Sequence, residues 1–312
     1  MSGMDRNSPI VIGLDVGTQS VKLVAYDPQA RQVAATLGEA LELASGDDGT
    51  REQRAEWWID AIRACFSRLD PALRQRTTAI GVSGQQHGFV PLDRAGNVLA
   101  PAKLWCDTST AAECDLIMDA VGGAQGAIAT AGNPIMVGYT ASKLPWTREH
   151  RSQAYAQLAT ILLPHDYVNF WLTGERWMER GDASGTGWLD VRTRQWSDAM
   201  IAATDPDRDL RPCLPPLVEA DAMFPIAAPI ADELGLPRDV RVSAGGGDNM
   251  MAAIGTGNVS PGVLSMSLGT SGTLFAYAGQ AMVDDEGRWA AFCDSTGGWL
   301  PLICTMNCTV VT

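Results

Sequence analysis

The residues of this sequence that could do chemistry sit at turns. Gly245, Gly246, Gly247 and Asp248 lie between an apolar run that reads as a strand, Val240 to Ala244, and one that reads as a helix, Met250 to Ile254. Three glycines let a strand turn sharply into a helix, because glycine takes positive φ freely and lets another backbone or a phosphate come close. A carboxylate ending such a turn stands at the mouth of a sheet, where α/β proteins bind ligands. It can serve as a base there, or it can simply cap the helix that follows.

Asp15 closes the β-branched run Ile10 to Leu14. An acid at the end of a buried strand needs a partner or a cation, and Mg²⁺ is held this way beside nucleotide phosphates. A salt bridge to Lys22 is the competing account. Gln86 and His87 lie between Gly84 and Gly88 after another strand, and amide and imidazole groups suit sugar hydroxyls because each can donate and accept. His87 could instead be a satisfied core histidine. Asp107, next to Trp105 and Cys106, can bind two hydroxyls or cap a helix. Two small-residue tips, Gly17-Thr18 and Gly269-Thr270-Ser271-Gly272, offer backbone N–H groups and hydroxyls in a concavity, a phosphate cradle without a helix dipole. Each is also a plain hairpin turn.

These groups need elements to hold them. Ile10 to Asp15, Val21 to Tyr26 and Gln32 to Leu37 read as a β-meander, not a dinucleotide or Walker-type crossover. Trp58, Ile59, Ile62, Phe66 and Leu69 recur at helical spacing over Glu56 to Leu69. Thr78 to Ser83 is a fourth strand, and Phe89 to Leu104 reads as a hairpin around Asp93 to Asn97. Helices are predicted over Thr110 to Val121, Ala141 to Thr147 and from Pro164, the last stopped by Gly174. Ala159 to Leu163 and Trp188 to Val191 read as strands, and Arg211 to Pro229 as irregular connection. Val263 to Leu268 and Thr273 to Tyr277 form a hairpin that overlays the first one, Val16 to Val21 falling on Leu268 to Thr273 and Leu23 on Phe275. A match this short can arise by chance, but such hairpins opening both halves would mark a duplicated domain with Gly245 to Asp248 at the junction.

The totals narrow the class. At 312 residues, 46% hydrophobic, the chain can form two domains. A net charge of −13 argues against nucleic acid or an anionic membrane as partner. No apolar run is long enough to span a bilayer and the N-terminus is polar, so a cytoplasmic protein is expected. The 7 cysteines are scattered, without Cys-x-x-Cys and apart from the 3 histidines, so neither a disulfide framework nor a zinc site is expected.

Together the motifs resemble the FGGY carbohydrate kinases, and within them the xylulokinases. The pieces are Ile12 to Thr18, Gly84-Gln85-Gln86-His87-Gly88, Leu104 to Asp107, Ala131 to Pro134, Gly138 to Trp146, Leu162 to Tyr167, Gly181 to Thr186, Gly245 to Asn249 and Ser267 to Gly272. The resemblance implies an α/β chain of actin-like (ribonuclease-H-like) fold: residues 1–246 a whole sugar-binding domain, 247–312 the truncated start of a nucleotide-binding one. Members of that family run well beyond position 312 and carry an adenosine-binding loop in their later half.

It further implies ATP-dependent phosphorylation of D-xylulose to D-xylulose 5-phosphate, with Asp248 as the base for the O5 hydroxyl and ATP and Mg²⁺ as cofactors. Asp15 and Asp248 would stand near the metal. Gln86, His87, Asp107 and Asn249 would contact the sugar, and Gly17, Thr18, Gly269, Thr270, Ser271 and Gly272 the phosphates. The expected partners are D-xylulose and ATP, with a homodimer as the assembly considered. The alternatives are a non-catalytic sugar-binding remnant, a kinase of the same family acting on another sugar or polyol, and an actin-like scaffold.

Overall fold

The computed structural model describes residues 8–268 and 272–305. Strands β1 (Ile10–Val16), β2 (Ser20–Asp27) and β3 (Gln32–Ala40) form the expected antiparallel meander. Side chains alternate across a strand, so Ile10, Ile12, Leu14 and Val16 share one buried face and Asp15 looks out from the other. Helix α1 (Ala55–Arg68) seals the buried face with Trp58, Ile59, Ile62 and Phe66. Strand β4 (Thr77–Gly84) runs parallel to β1 on its other side.

The middle of the chain supplies helices α2 (Ala111–Ala120), α3 (Thr140–His150) and α4 (Pro164–Thr173). Helix α4 begins on Pro164, whose missing N–H costs nothing there, and ends at Gly174 with φ 80°. It packs on the sheet beside α1, Trp58 meeting Tyr167 edge to face at 6.2 Å. Helices α2 and α3 build a second core with Cys114, Ile117, Ala141, Leu144 and Trp188.

The sheet then closes. Strands β5 (Met223–Pro225), β6 (Arg241–Ser243) and β7 (Gly246–Gly247) complete seven strands in the order β5-β6-β4-β1-β2-β3, with β7 beside the end of β4. Helix α5 (Asp248–Gly255) follows at once. Strands β8 (Leu264–Leu268), β9 (Gly272–Ala276), β10 (Ala290–Cys293) and β11 (Trp299–Thr305) form a separate antiparallel sheet, order β8-β9-β11-β10. A third core of Tyr139, Met250, Phe275, Phe292 and Leu300 joins that sheet to α5.

Several expectations are corrected. Arg211 to Pro229 carries the edge strand β5 and leads into a helix, Ala228–Leu234, capped by Gly235 at φ 67°. A helix over Gly123–Ala131 was hidden by its glycines; positive φ at Gly122 and Gly132 frames it. Val90–Leu92 pairs mainly with Thr160–Leu162, while only isolated bridges, Leu92 to Val98 and Phe89 to Lys103, close the predicted hairpin. The two matching hairpins also close differently: Val16 pairs with Val21, but Leu268 pairs with Gly272. Among the described residues no helix is long and apolar enough to cross a membrane, and Cys65, Cys106, Cys114, Cys213, Cys293 and Cys304 are free thiols. Cys308 lies outside the described residues.

Candidate functional site

Strand register gathers the chemistry at one edge of the large sheet. Asp15 on β1 lies opposite Ser83 on β4, and β7 sets Gly246 against Ser83 and Gly247 against Gly84. The ends of parallel strands are where such sheets bind ligands. Asp15, Gln86 and Asp248 therefore leave three adjacent strands at nearly one level. Ser83 Oγ donates to Asp15 Oδ1 at 3.2 Å. Lys22 faces Asp15 in register, yet among the described residues no ion pair joins them, so the competing salt-bridge account fails.

Asp248 is the first residue of α5; Gly247 occupies the cap position, which removes the plain capping role. Gly245 makes the turn with φ 76°, and a Cβ there would lie 2.8 Å from both Val82 O and Asn169 Nδ2. The Asn249 backbone N–H and Nδ2 both donate to Asp248 Oδ1, at 2.8 and 3.1 Å. Among the described residues nothing donates to Oδ2, and the side chain is open to solvent. Surrounding protein, then the charges of Asp182 and Asp15, push its carboxyl up to about 7. One oxygen is thus fixed and the other is left as a proton acceptor.

Asn249 Nδ2 also donates to Gln86 Oε1 at 2.8 Å. Both amide protons of Asn249 are then spent on protein, and it positions its neighbours. Gln86 is 5% exposed and its Nε2 is buried without a partner. Buried polar groups are nearly always satisfied, so the orphaned amide beside Asp248 is a candidate donor to a ligand. Cβ on Gly247 would lie 2.7 Å from Gln86 Cγ, so glycine at 247 keeps room for that side chain.

His87 has φ 61°, uncommon for a residue with a Cβ. Lys143 Nζ and Thr140 Oγ1, both on α3, donate to His87 O at 2.5 and 3.1 Å and hold that turn. Lys143 also donates to Gly138 O at 2.6 Å, and burial pushes its ammonium down to about 7. The His87 ring sits 4.8 Å from Tyr139 and 5.6 Å from Phe292 and lines a cavity of about 370 Å³ with Trp105, Asn133 and Cys304. That volume suits a small molecule. Burial pushes the imidazole down to about 4, so it is neutral at pH 7.

Three expected ligand residues turn inward. Asp107 is 0% exposed; Arg51 N, Lys103 Nζ, Ser109 N and Ser109 Oγ all donate to its carboxylate. It is a buried anchor for the Trp105 loop and has no oxygen left for a sugar. Thr18 Oγ1 donates to Gln85 Oε1 at 2.9 Å and accepts from Trp105 Nε1 at 2.9 Å, leaving only its backbone N–H to offer. Gly17 N–H donates to Ser20 O at 3.1 Å and closes the hairpin, so it too is taken. Gly272 opens β9; Gly269, Thr270 and Ser271 lie outside the described residues.

A supporting layer went unread in the sequence. His165 lies 2.9 Å from Asp166 and 3.1 Å from Asp182, all fully buried or nearly so. Burial opposes its charge, but the two acids outweigh it and hold the imidazole well above its usual range. Glu179 accepts from Gly181 N, Asp182 N and Ser295 Oγ, and burial pushes it up to about 7. This layer backs the glycine turn: Cβ on Gly84 would meet His165, and Cβ on Gly246 would meet Ser295 Oγ. Leu162 to Tyr167 and Gly181 to Thr186 stood out as motifs, but their spacing gave no sign that they meet.

Comparison with known proteins places this geometry. The N-terminal domain of the FGGY family of carbohydrate kinases matches residues 10–255. A xylulose kinase of Haemophilus influenzae is 42% identical over 309 residues, covering 96% of this chain and 62% of that protein. The crystal structure of a xyloylose kinase from Brucella ovis superposes with a TM-score of 0.89 at 34% identity, covering 96% of this chain and 62% of its own. A gluconate kinase from Lactobacillus acidophilus shares the fold, with a TM-score of 0.86 at 23% identity over 97% of this chain and 61% of its own. The chain spans about three fifths of the length of the curated relatives it matches.

Proposed function

This chain belongs to the FGGY family of carbohydrate kinases, with the actin-like fold of that family, and from that premise we propose that it serves the ATP-dependent phosphorylation of D-xylulose to D-xylulose 5-phosphate. The observation that carries this reading is the hydrogen-bonded row Asp248–Asn249–Gln86, which presents a free carboxylate oxygen beside an unpaired buried amide donor. A sugar with adjacent hydroxyls satisfies both at once. The amide Nε2 donates to one sugar oxygen, and the carboxylate takes the proton of the hydroxyl that becomes the nucleophile.

Phosphoryl transfer asks mainly for positioning and charge neutralisation, with one carboxylate orienting the attacking hydroxyl. In this chain Asp248 Oδ2 is the acceptor, Asn249 fixes its orientation, Gln86 holds the sugar, and neutral His87 offers one ring nitrogen to a second hydroxyl, as donor or acceptor according to its tautomer. Asp15 and Asp248, two nearby carboxylates with hard oxygen donors, suit Mg²⁺. When bound, Mg²⁺ supplies neutralisation of phosphate charge. The backbone N–H of Thr18 and the tip from Gly269 to Gly272 are the groups proposed for the nucleotide phosphates, and the boundary near residue 246 is proposed as the passage from sugar-side to nucleotide-side domain.

The test is a coupled assay with Mg-ATP across D-xylulose, D-ribulose, L-ribulose, glycerol and gluconate. D-xylulose should give the highest kcat/KM. Preference for glycerol or gluconate would overturn the substrate assignment. A second reading is a chain that binds D-xylulose yet turns none over, and calorimetry with D-xylulose beside the assay separates the two.

A further inference from the structure

Away from the sugar edge, Glu113 on α2 and Glu149 and His150 in the last turn of α3 each bring one ligand atom within 4.8 Å of the other two. We propose that these three side chains form a binding site for a divalent transition-metal ion of the Zn²⁺ class, clamping α2 to α3. Nothing in the kinase reading requires this site.

Glu149 and His150 are exposed, and the case for a cation rests on Glu113. Glu113 is 8% exposed, and its Oε2 is buried without a hydrogen-bond partner. A buried, unpaired carboxylate oxygen is costly, and a second carboxylate close by raises the cost. The flanking basic residues are already engaged: Arg148 pairs with Asp205 at 3.0 Å, and Arg151 pairs with Glu52 at 2.7 Å. Among the described residues no lysine or arginine pairs with Glu113 or Glu149. Glu149 also stands at a helix C-terminus, where the free carbonyls favour positive charge over negative.

His150 has the setting of a ligating imidazole. Its Nδ1 lies 2.9 Å from Trp146 O, so that nitrogen carries the proton and donates it to the carbonyl. Nε2 is left with its lone pair. Metal-bound histidines characteristically donate their other ring N–H in this manner, which fixes both tautomer and orientation. The ring is further steadied by stacking on Trp146, with centroids 4.5 Å apart and planes 14° apart. One imidazole and two carboxylates suit Zn²⁺ or its first-row neighbours better than Mg²⁺, which takes oxygen ligands. The clamp would steady α3, the helix that holds the His87 turn.

The experiment is calorimetric titration of the chelator-treated protein with Zn²⁺, repeated on Glu113→Gln and His150→Ala. The wild type should take up one saturable equivalent and gain thermal stability. Each variant should bind about 10-fold more weakly or worse. Glu113→Gln relieves the crowded charge, so it should fold at least as well as the wild type without metal. Substituted Co²⁺ should show visible d–d absorption with no thiolate charge-transfer band. Three results would each overturn the site: no stoichiometric uptake, uptake that survives in both variants, or a thiolate band tracing the ion to a cysteine such as Cys304.

Discussion

At the residue scale, the groups proposed to act on the sugar are distinguished by what they leave unpaired. Gln86 keeps a buried Nε2 without a partner, whereas Asp107, chemically the better hydroxyl ligand, is saturated by four donors. Gln86→Leu should therefore weaken D-xylulose binding by about tenfold or more, measured by calorimetry, while leaving Asp248 in place. His87 gives a pH prediction. Its folded value of about 4 lies below the ordinary 6.5, so the unfolded chain binds the extra proton first. The stability this contributes is present above pH 6.5 and lost as pH falls towards 4. Urea midpoints should drop over that window in the wild type and drop less in His87→Gln. Sugar affinity should stay level down to the same window, because the neutral ring keeps both a donor and an acceptor.

At the element scale, the site depends on a turn and a helix. Gly247→Ala would drive a methyl group against Gln86 while keeping an allowed backbone, since Gly247 has φ −63°. The expected result is a normal circular dichroism spectrum with impaired D-xylulose binding. Lys143→Met leaves Gly138 O without its lysine donor and His87 O with Thr140 alone. Losing buried partners costs about 1–3 kcal/mol each, so the urea midpoint and the sugar affinity should fall together.

These elements also show what was legible in the chain. Alternation over Ile10 to Val16 and the 3.6-residue recurrence in α1 are local signals, and both elements form where the pattern puts them. The turn at Gly245 to Asp248 was readable for the same reason. Asp107 misled because burial is a property of the assembled loop: its partners come from residues 51, 103 and 109. The helix at Gly123–Ala131 was hidden because glycine argues against helix locally, and packing of Ala127, Ile128 and Ala131 overrides it. The His165–Asp182 contact joins residues 17 apart across two elements, a pairing no periodicity encodes.

At the scale of the whole molecule, the large sheet delivers Asp15, Gln86 and Asp248 to one edge, while the second sheet presents an apolar border. Edge strand β8 exposes Leu264, Met266 and Leu268 by 62%, 61% and 65%. A gluconate kinase shares this fold at a TM-score of 0.86, and in the proposed reading the choice of sugar is assigned to the groups at the sheet edge. Among them Asp248 carries the central claim. The most direct test is Asp248→Asn, which keeps the contacts to Asn249 while removing the proton acceptor and one carboxylate of the pair proposed for Mg²⁺. Phosphorylation of D-xylulose should fall by about 10²–10⁴-fold, with calorimetric D-xylulose binding retained; undiminished turnover would contradict the account.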